Sequence, residues 1–163
     1  MSHLEKINDK IISLEELKLR AENWKSSSEK IVFTNGCFDI LHRGHIEVLA
    51  HTADLGDRLI IGLNSDKSIQ VLKGENRPIE NEESRAILLA SLSFVDAVIL
   101  FSEKTPLNLI SSLNPDILAK GGDYEIETIV GHKVVQENGG QVILVPFIDG
   151  FSSTTIIDKI KNS

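Results

Sequence analysis

The stretch Lys30–His51, K-I-V-F-T-N-G-C-F-D-I-L-H-R-G-H-I-E-V-L-A-H, decides how the chain is read. Its first part, Ile31 to Phe33, is an apolar run with the length of a buried strand. Thr34, Asn35 and Gly36 follow as a turn-forming segment. An amphipathic helix then opens near Gly44, with Ile46, Leu49 and Ala50 on one face. A strand, a glycine-bearing turn and a helix N-terminus form a place for phosphate, because free N–H groups and the positive end of the helix dipole converge there. His42 and His45 flank Gly44 at that helix entry, where the missing side chain leaves room for an anion and both imidazoles can face one side. The pair could donate hydrogen bonds to phosphoryl oxygens as charge builds in a transition state. Two histidines can also bind zinc, but no third His or Cys lies near them in sequence, so no protein metal site is expected.

Working outward, the pattern of apolar runs sets the fold class. Strands are expected at Asp57–Ser65, Ala97–Phe101, Asp116–Lys120 and Gln141–Pro146, each separated from the last by a helical segment. Gly56 is read as a left-handed cap ending the first helix, and a short helix is expected from Asp66 to Leu72. Asn81 caps a helix whose stripe is Ala86, Leu89, Ala90 and Leu92. Thr105 and Pro106 start another as cap and first residue, stopped at Asn114-Pro115. A further helix is expected over Thr128–Asn138, ended by Gly139, and a last one follows the hydroxyls Ser152–Thr155. Five apolar strands alternating with helices imply an α/β, Rossmann-like, doubly wound five-stranded parallel sheet covered on both faces. With strand order 3-2-1-4-5, the loops after the first and fourth strands face each other at the reversal, where such sheets bind ligands. T-N-G-C-F-D, K-G-G-D-Y and D-G-F-S-S-T-T all fall at strand ends.

Residues 1–29 read as an N-terminal helical extension, with Ser13 as cap and Leu14, Leu17, Ala21 and Trp24 at helical spacing; residues 30–163 form the main domain. The extension is expected to cover the sheet or make a subunit contact, so a homodimer is one possible state. The 163-residue length suits one domain with a full core. A net charge of -7 and a pI near 5.2 argue against a surface that grips a nucleic-acid backbone. No apolar run approaches the roughly 20 residues of a membrane helix. The start of the chain lacks an apolar signal core, and the single Cys37 cannot form an internal disulfide, so a reducing, cytoplasmic setting is expected.

G-x-x-x-x-G-K-[ST] and G-x-G-x-x-G are both absent. Phosphates must therefore be held by other groups, and Lys73, Arg77, Lys120 and the Ser152–Thr155 hydroxyls are the candidates. F-T-N-G-C-F-D-I-L-H-R-G-H resembles the H-x-G-H signature of the small nucleotidyltransferases. G-L-N-S-D-K-S-I, L-K-G-E-N-R-P-I, L-A-K-G-G-D-Y and G-F-S-S-T-T-I-I-D-K-I, in that order, narrow the resemblance to the adenylyltransferase domain of ADP-heptose synthases, over about Lys30–Ile160. The resemblance implies that ATP and D-glycero-β-D-manno-heptose 1-phosphate give ADP-heptose and pyrophosphate, with Mg²⁺ entering on the triphosphate. The alternative within the same fold is a CTP-dependent cytidylyltransferase acting on glycerol 3-phosphate or a similar alcohol phosphate. Bifunctional members carry a sugar kinase ahead of this domain; here a separate kinase is expected to supply the substrate.

Carried over by motif, His42 and His45 stabilise the transition state at the α-phosphate, with Lys73 as catalytic cation and Arg77 second. Thr34, Asn35, Gly36, Cys37 and Phe38 cradle the nucleotide, beside Gly44, and Asp39 orients the loop or the metal-bound phosphates. Ser153, Thr154 and Thr155 hold the leaving β,γ-phosphates. Lys120, Gly121, Asp123 and Tyr124, with Asn64 and Asp66, shape the ribose and sugar sides. One departure from the wider group is that no arginine flanks the hydroxyl-rich helix start, where Phe147, Ile148, Asp149 and Asp158 stand instead.

Overall fold

The computed structural model describes residues 1–163. Its elements are α1 (His3–Asn8), α2 (Leu14–Ser26), β1 (Ile31–Gly36), α3 (Arg43–Ala53), β2 (Arg58–Asn64), α4 (Asp66–Lys73), α5 (Glu82–Ala90), β3 (Ala97–Phe101), α6 (Leu107–Leu113), β4 (Ile117–Gly121), α7 (His132–Glu137), β5 (Gln141–Val145) and α8 (Ser153–Lys161). All strand pairs are parallel and the order is β3-β2-β1-β4-β5, as expected. β1 sits in the middle, with β2 and β4 as neighbours, so the order reverses across its carboxyl end.

Alternation along each strand divides the core into two layers. Ile31, Phe33, Ile60, Ala97, Ile99 and Leu118 point to one face, under Leu17 and Ala21 of α2 and Leu109, Ile110 and Leu113 of α6. Val32, Leu59, Ile61, Leu63, Val98 and Ala119 point to the other, under Leu49 of α3 and Ala86, Leu89 and Ala90 of α5. Truncating any of the larger of these to Ala is expected to cost about 2–5 kcal/mol. The N-terminal segment also guards an edge: the Ile12 amide donates to the Val98 carbonyl, and the Val98 amide to the Lys10 carbonyl. Those bonds occupy part of the outer edge of β3, which would otherwise be open to pairing.

Three local expectations are corrected. Gly56 is not a left-handed cap; α3 ends on Asp54 in right-handed geometry. Glycine is needed at 56 for space, since a Cβ there would lie 2.8 Å from the Lys30 carbonyl oxygen and 2.7 Å from Val32 Cγ2. The Thr105-Pro106 start is displaced by one residue: Pro106 is the N-cap, and no side chain caps α6. The helix expected over residues 128–138 is a 3₁₀ turn at Ile126–Thr128 and then α7, separated by Gly131 at φ 88°, a left-handed conformation through which a helix cannot run. The short α1 was not foreseen, although its Ser2–Glu5 capping box is visible as S-H-L-E.

Candidate active site

A cavity of about 590 Å³ opens at the carboxyl end of β1 and runs between the loop after β1, the start of α3, the end of β4 and the start of α8. It brings together Thr34–Asp39, His42, Gly44, His45, Lys73, Arg77, Lys120, Gly121, Tyr124, Ser153 and Thr154. Asn64, Asp66, Asp123 and Thr155 lie outside its lining. A smaller annex of about 180 Å³ adjoins it, sharing Asn35, Lys120 and Tyr124 and adding Pro106, Thr128, Ile129 and Val130.

The loop from β1 to α3 folds tightly: Phe38 (φ 47°) and Ile40 (φ 53°) both take the left-handed region, at a cost of about 1–3 kcal/mol each. The buried carboxylate of Asp39 holds this loop to another. It accepts from Arg77 Nε (2.9 Å), the Ile79 amide (2.9 Å) and the Glu80 amide (2.9 Å), clamping the segment after α4 over the cavity. Burial alone would raise the Asp39 carboxyl, but the two amides and the Arg77 guanidinium outweigh it and hold it below the ordinary range. Asp39 is thereby committed to the loop, and Arg77 with it.

His42 is the N-cap residue of α3, yet its side chain makes no capping bond. The first amides of the helix are thus left to the cavity, where the dipole favours an anion. The rings of His42 and His45 stack with centroids 3.8 Å apart, and Phe38 meets His45 edge-on at 5.4 Å. Gly44 permits this packing, since a Cβ there would lie 3.0 Å from His42 Cε1 and 2.8 Å from Phe151 Cβ. Both Nδ1 atoms are buried without a hydrogen-bond partner. Burial, with the charges of His42 and Lys73, lowers the His45 pKa to about 4 against the pull of Asp39, and burial lowers that of His42. Near pH 7 the two are neutral imidazoles with unused polar atoms, suited to receive a negatively charged group.

The cations divide by engagement. Arg77 is paired to Asp39, whereas Lys73 is exposed and makes no hydrogen bond or ion pair. Lys120 faces both cavities; its Nζ reaches only Asn35, through the carbonyl and Oδ1 at 3.4 Å each, and burial lowers its pKa. At α8 the hydroxyls also divide. Ser152 Oγ accepts the Thr155 amide at 3.0 Å and pairs with Thr155 Oγ1 at 2.8 Å, so Thr155 serves the cap. Ser153 Oγ donates to the Asp39 carbonyl, and Thr154 is left with a free hydroxyl in the cavity. No group of three or more His, Cys, Asp or Glu side chains is placed to hold a metal. With Asp39 engaged, Asp149 is the one lining carboxylate without a partner.

Asn64 and Asp66 belong to a different construction centred on Arg85, a residue the sequence reading passed over. Its fully buried guanidinium donates to the carbonyls of Cys37 (2.7 Å), Asn64 (2.8 Å) and Glu80 (3.0 Å) and to the Asp66 carboxylate (2.7 Å). Asn64 Nδ2 donates to Ser68 Oγ at 3.1 Å. The available signal was a charged residue directly before the buried stripe of α5. Phe147, expected only to flank the helix start, and Phe151, given no role by the sequence, also line the cavity, as does Ser152 of the expected hydroxyl cluster.

Comparison with known proteins identifies the family. The chain is 50% identical over 154 residues to the bifunctional protein HldE of Rhodopseudomonas palustris (strain HaA2), covering 94% of this chain and 31% of that protein. It is 50% identical over 156 residues to HldE of Citrifermentans bemidjiense, covering 96% and 32%. The chain thus spans about a third of the length of these curated relatives. Among solved structures, the lipopolysaccharide core biosynthesis protein from Thermoplasma volcanium GSS1 superposes with a TM-score of 0.57 at 29% identity, over 74% of this chain and 97% of that one. Pantoate-beta-alanine ligase from Francisella tularensis shares the fold, with a TM-score of 0.60 at 16% identity, over 94% and 78%. The cytidylyltransferase-like family model matches residues 33–159, which include every cavity group described above, and the chain belongs to the cytidylyltransferase-like family.

Proposed function

We propose that this chain is a nucleotidyltransferase that condenses D-glycero-β-D-manno-heptose 1-phosphate with ATP to give ADP-heptose and pyrophosphate. The observation that carries the reading is the pair of stacked histidines with unpartnered nitrogens at the uncapped start of α3, sharing the cavity with Lys73 and Thr154. An oxygen of the sugar phosphate attacks the α-phosphorus of ATP in line. The bond from the α-phosphorus to the α,β-bridging oxygen breaks, and its electron pair leaves with pyrophosphate. No covalent enzyme intermediate forms, so catalysis rests on positioning and charge stabilisation. His42 and His45 donate to the α-phosphoryl oxygens, and the amides of the β1–α3 loop and the α3 start cradle the triphosphate. Lys73 offsets its charge, while Thr154 and the α8 N-terminus face the leaving group.

Mg²⁺ is read as entering on the triphosphate, whose charge it neutralises; the committed Asp39 and the single free Asp149 suit a metal carried mainly by substrate oxygens. The acceptor's sugar is placed in the annex, lined by Asn35, Tyr124 and Thr128, with Lys120 at the boundary to receive its phosphate. Residues 30–163 form the catalytic unit and residues 1–29 a helical extension. A cytoplasmic setting, with heptose 1-phosphate made by a sugar kinase, completes the reading; no helix is long and apolar enough to cross a membrane. The lipopolysaccharide-core setting of the Thermoplasma relative supports a sugar acceptor over glycerol 3-phosphate. The test is pyrophosphate release over a matrix of nucleoside triphosphates and sugar or polyol phosphates. Turnover is expected with ATP and heptose 1-phosphate, and strict dependence on CTP with glycerol 3-phosphate would overturn the assignment.

A further inference from the structure

Phe147 leaves the end of β5 and lines the cavity, yet it remains 65% exposed. A large aromatic ring held open to water in a concave site costs free energy that the fold does not recover by burying it. Its immediate support is bare backbone. A Cβ at Gly122 would lie 2.7 Å from Phe147 Cε2, and one at Gly121 would lie 3.2 Å from Cε1 and 2.9 Å from Val48 Cγ1. Gly122 also sits at φ 120°, a conformation that L side chains rarely adopt. Two consecutive glycines thus let the ring lie against the end of β4 while the rest of its surface faces the cavity. Lys120 precedes them on the strand, and alternation turns its side chain away from the face of Gly121, towards Asn35. The corner made by Val48, Gly121, Gly122 and Phe147, with the Tyr124 ring beside it (Cε2 3.1 Å from where a Cβ at Gly122 would lie), is aromatic and apolar, unlike the phosphate-facing corner at His42, His45 and Lys73.

We propose that Phe147 is the platform on which the base of the nucleoside triphosphate stacks, and that it contributes to preference for a purine. This rests on the reading that a nucleoside triphosphate binds in this cavity. A neutral aromatic ring offers a base no hydrogen bonds, but it matches the π-face of any base, and a two-ring purine covers more of it than a pyrimidine does. Hydroxyls and cations elsewhere in the cavity then hold the phosphates, so base and phosphate recognition are separable in this chain.

That separability supplies the test. In Phe147→Ala, KM for ATP should rise about 10- to 100-fold, the range for losing one base–aromatic stack, with kcat lowered less than about threefold. The KM for the sugar phosphate and the inhibition constant of inorganic tripolyphosphate, which has the phosphates and no base, should stay within about twofold. Phe147→Trp should restore tight ATP binding, and its indole fluorescence should be quenched on titration with ATP but not with tripolyphosphate. Unchanged ATP KM in Phe147→Ala overturns the proposal, as does parallel weakening of ATP and tripolyphosphate, which would mean that Phe147 only braces the loop before α8. Either result leaves wild-type turnover intact and so spares the proposed reaction. Absence of wild-type turnover with every acceptor, alongside a base-dependent ATP affinity, would instead fail the reaction and keep the stack.

Discussion

The carboxyl ends of β1 and β2 are neighbours in the sheet but opposite in construction. At the end of β2, Asn64 and Asp66 are bound into the network around Arg85, which has four acceptors within 3.0 Å. At the end of β1, both histidine Nδ1 atoms lack a partner, Lys73 pairs with nothing and Lys120 has only two contacts at 3.4 Å. Buried polar groups are normally satisfied, so an unsatisfied cluster in a cavity marks where a ligand completes the bonding. The satisfied cluster next door shows what the same residue types do as scaffold. The two are connected: Arg85 holds the Cys37 and Glu80 carbonyls, and Asp39 holds Arg77 and the amides of Ile79 and Glu80, so the β2 network fixes the loops that frame the β1 site.

The largest effect should come from cutting the scaffold. Arg85→Met leaves Asp66 and three carbonyls without their donor and should lower unfolding free energy by about 3–5 kcal/mol in urea denaturation. Full stability in that variant would erase the contrast between the two ends. His42→Ala and His45→Ala should act the other way, lowering kcat by about 10²–10³-fold as for a lost oxyanion donor, with melting temperature nearly unchanged. A loss of stability matching the loss of activity would place the histidines with the scaffold. Lys73→Ala, at an exposed side chain, should reduce kcat/KM by about 10- to 100-fold, one charge-assisted contact, without altering the denaturation midpoint.

The smallest expected effect is on pH dependence. His45 has a folded-state pKa of about 4, below its ordinary 6.5, so between those values the unfolded chain takes the proton in preference. Stability from this group is present above pH 6.5 and is lost as pH falls towards about 4. Denaturation midpoints at pH 7.5 and 5 should therefore differ less in His45→Asn than in wild type. Equal pH slopes would show that His45 is not held neutral by its surroundings.

The parallel sheet and the β1-end motif were legible because β1–β4 are short, nearly continuous apolar runs separated by helical segments, as strands buried on both faces are, and because glycine and histidine stand where a backbone anion site needs them. What could not be read is which polar residues are already spoken for. Asn64 and Asp66 look like ligand groups at a strand end until Arg85, some twenty residues later, is brought beneath them by α5. Thr155 looks equivalent to Thr154 until the Ser152 cap claims it. Phe147 reads as a departure from an expected cation, and only the approach of its ring to Gly121 and Gly122 shows it facing the cavity. Gly56 and Gly131 illustrate the same limit locally. One glycine makes room for the Lys30 carbonyl and the other takes a positive φ, and sequence position alone does not tell them apart.

The reacting centre in the proposed reaction is the α-phosphorus. This is tested most directly by incubating the protein with heptose 1-phosphate and ATP labelled at the α-phosphate and separating the products after a single turnover. The label is expected in the sugar nucleotide, and the pyrophosphate released is expected to be unlabelled. Label recovered in free ADP, with the γ-phosphate transferred to the sugar, would contradict it.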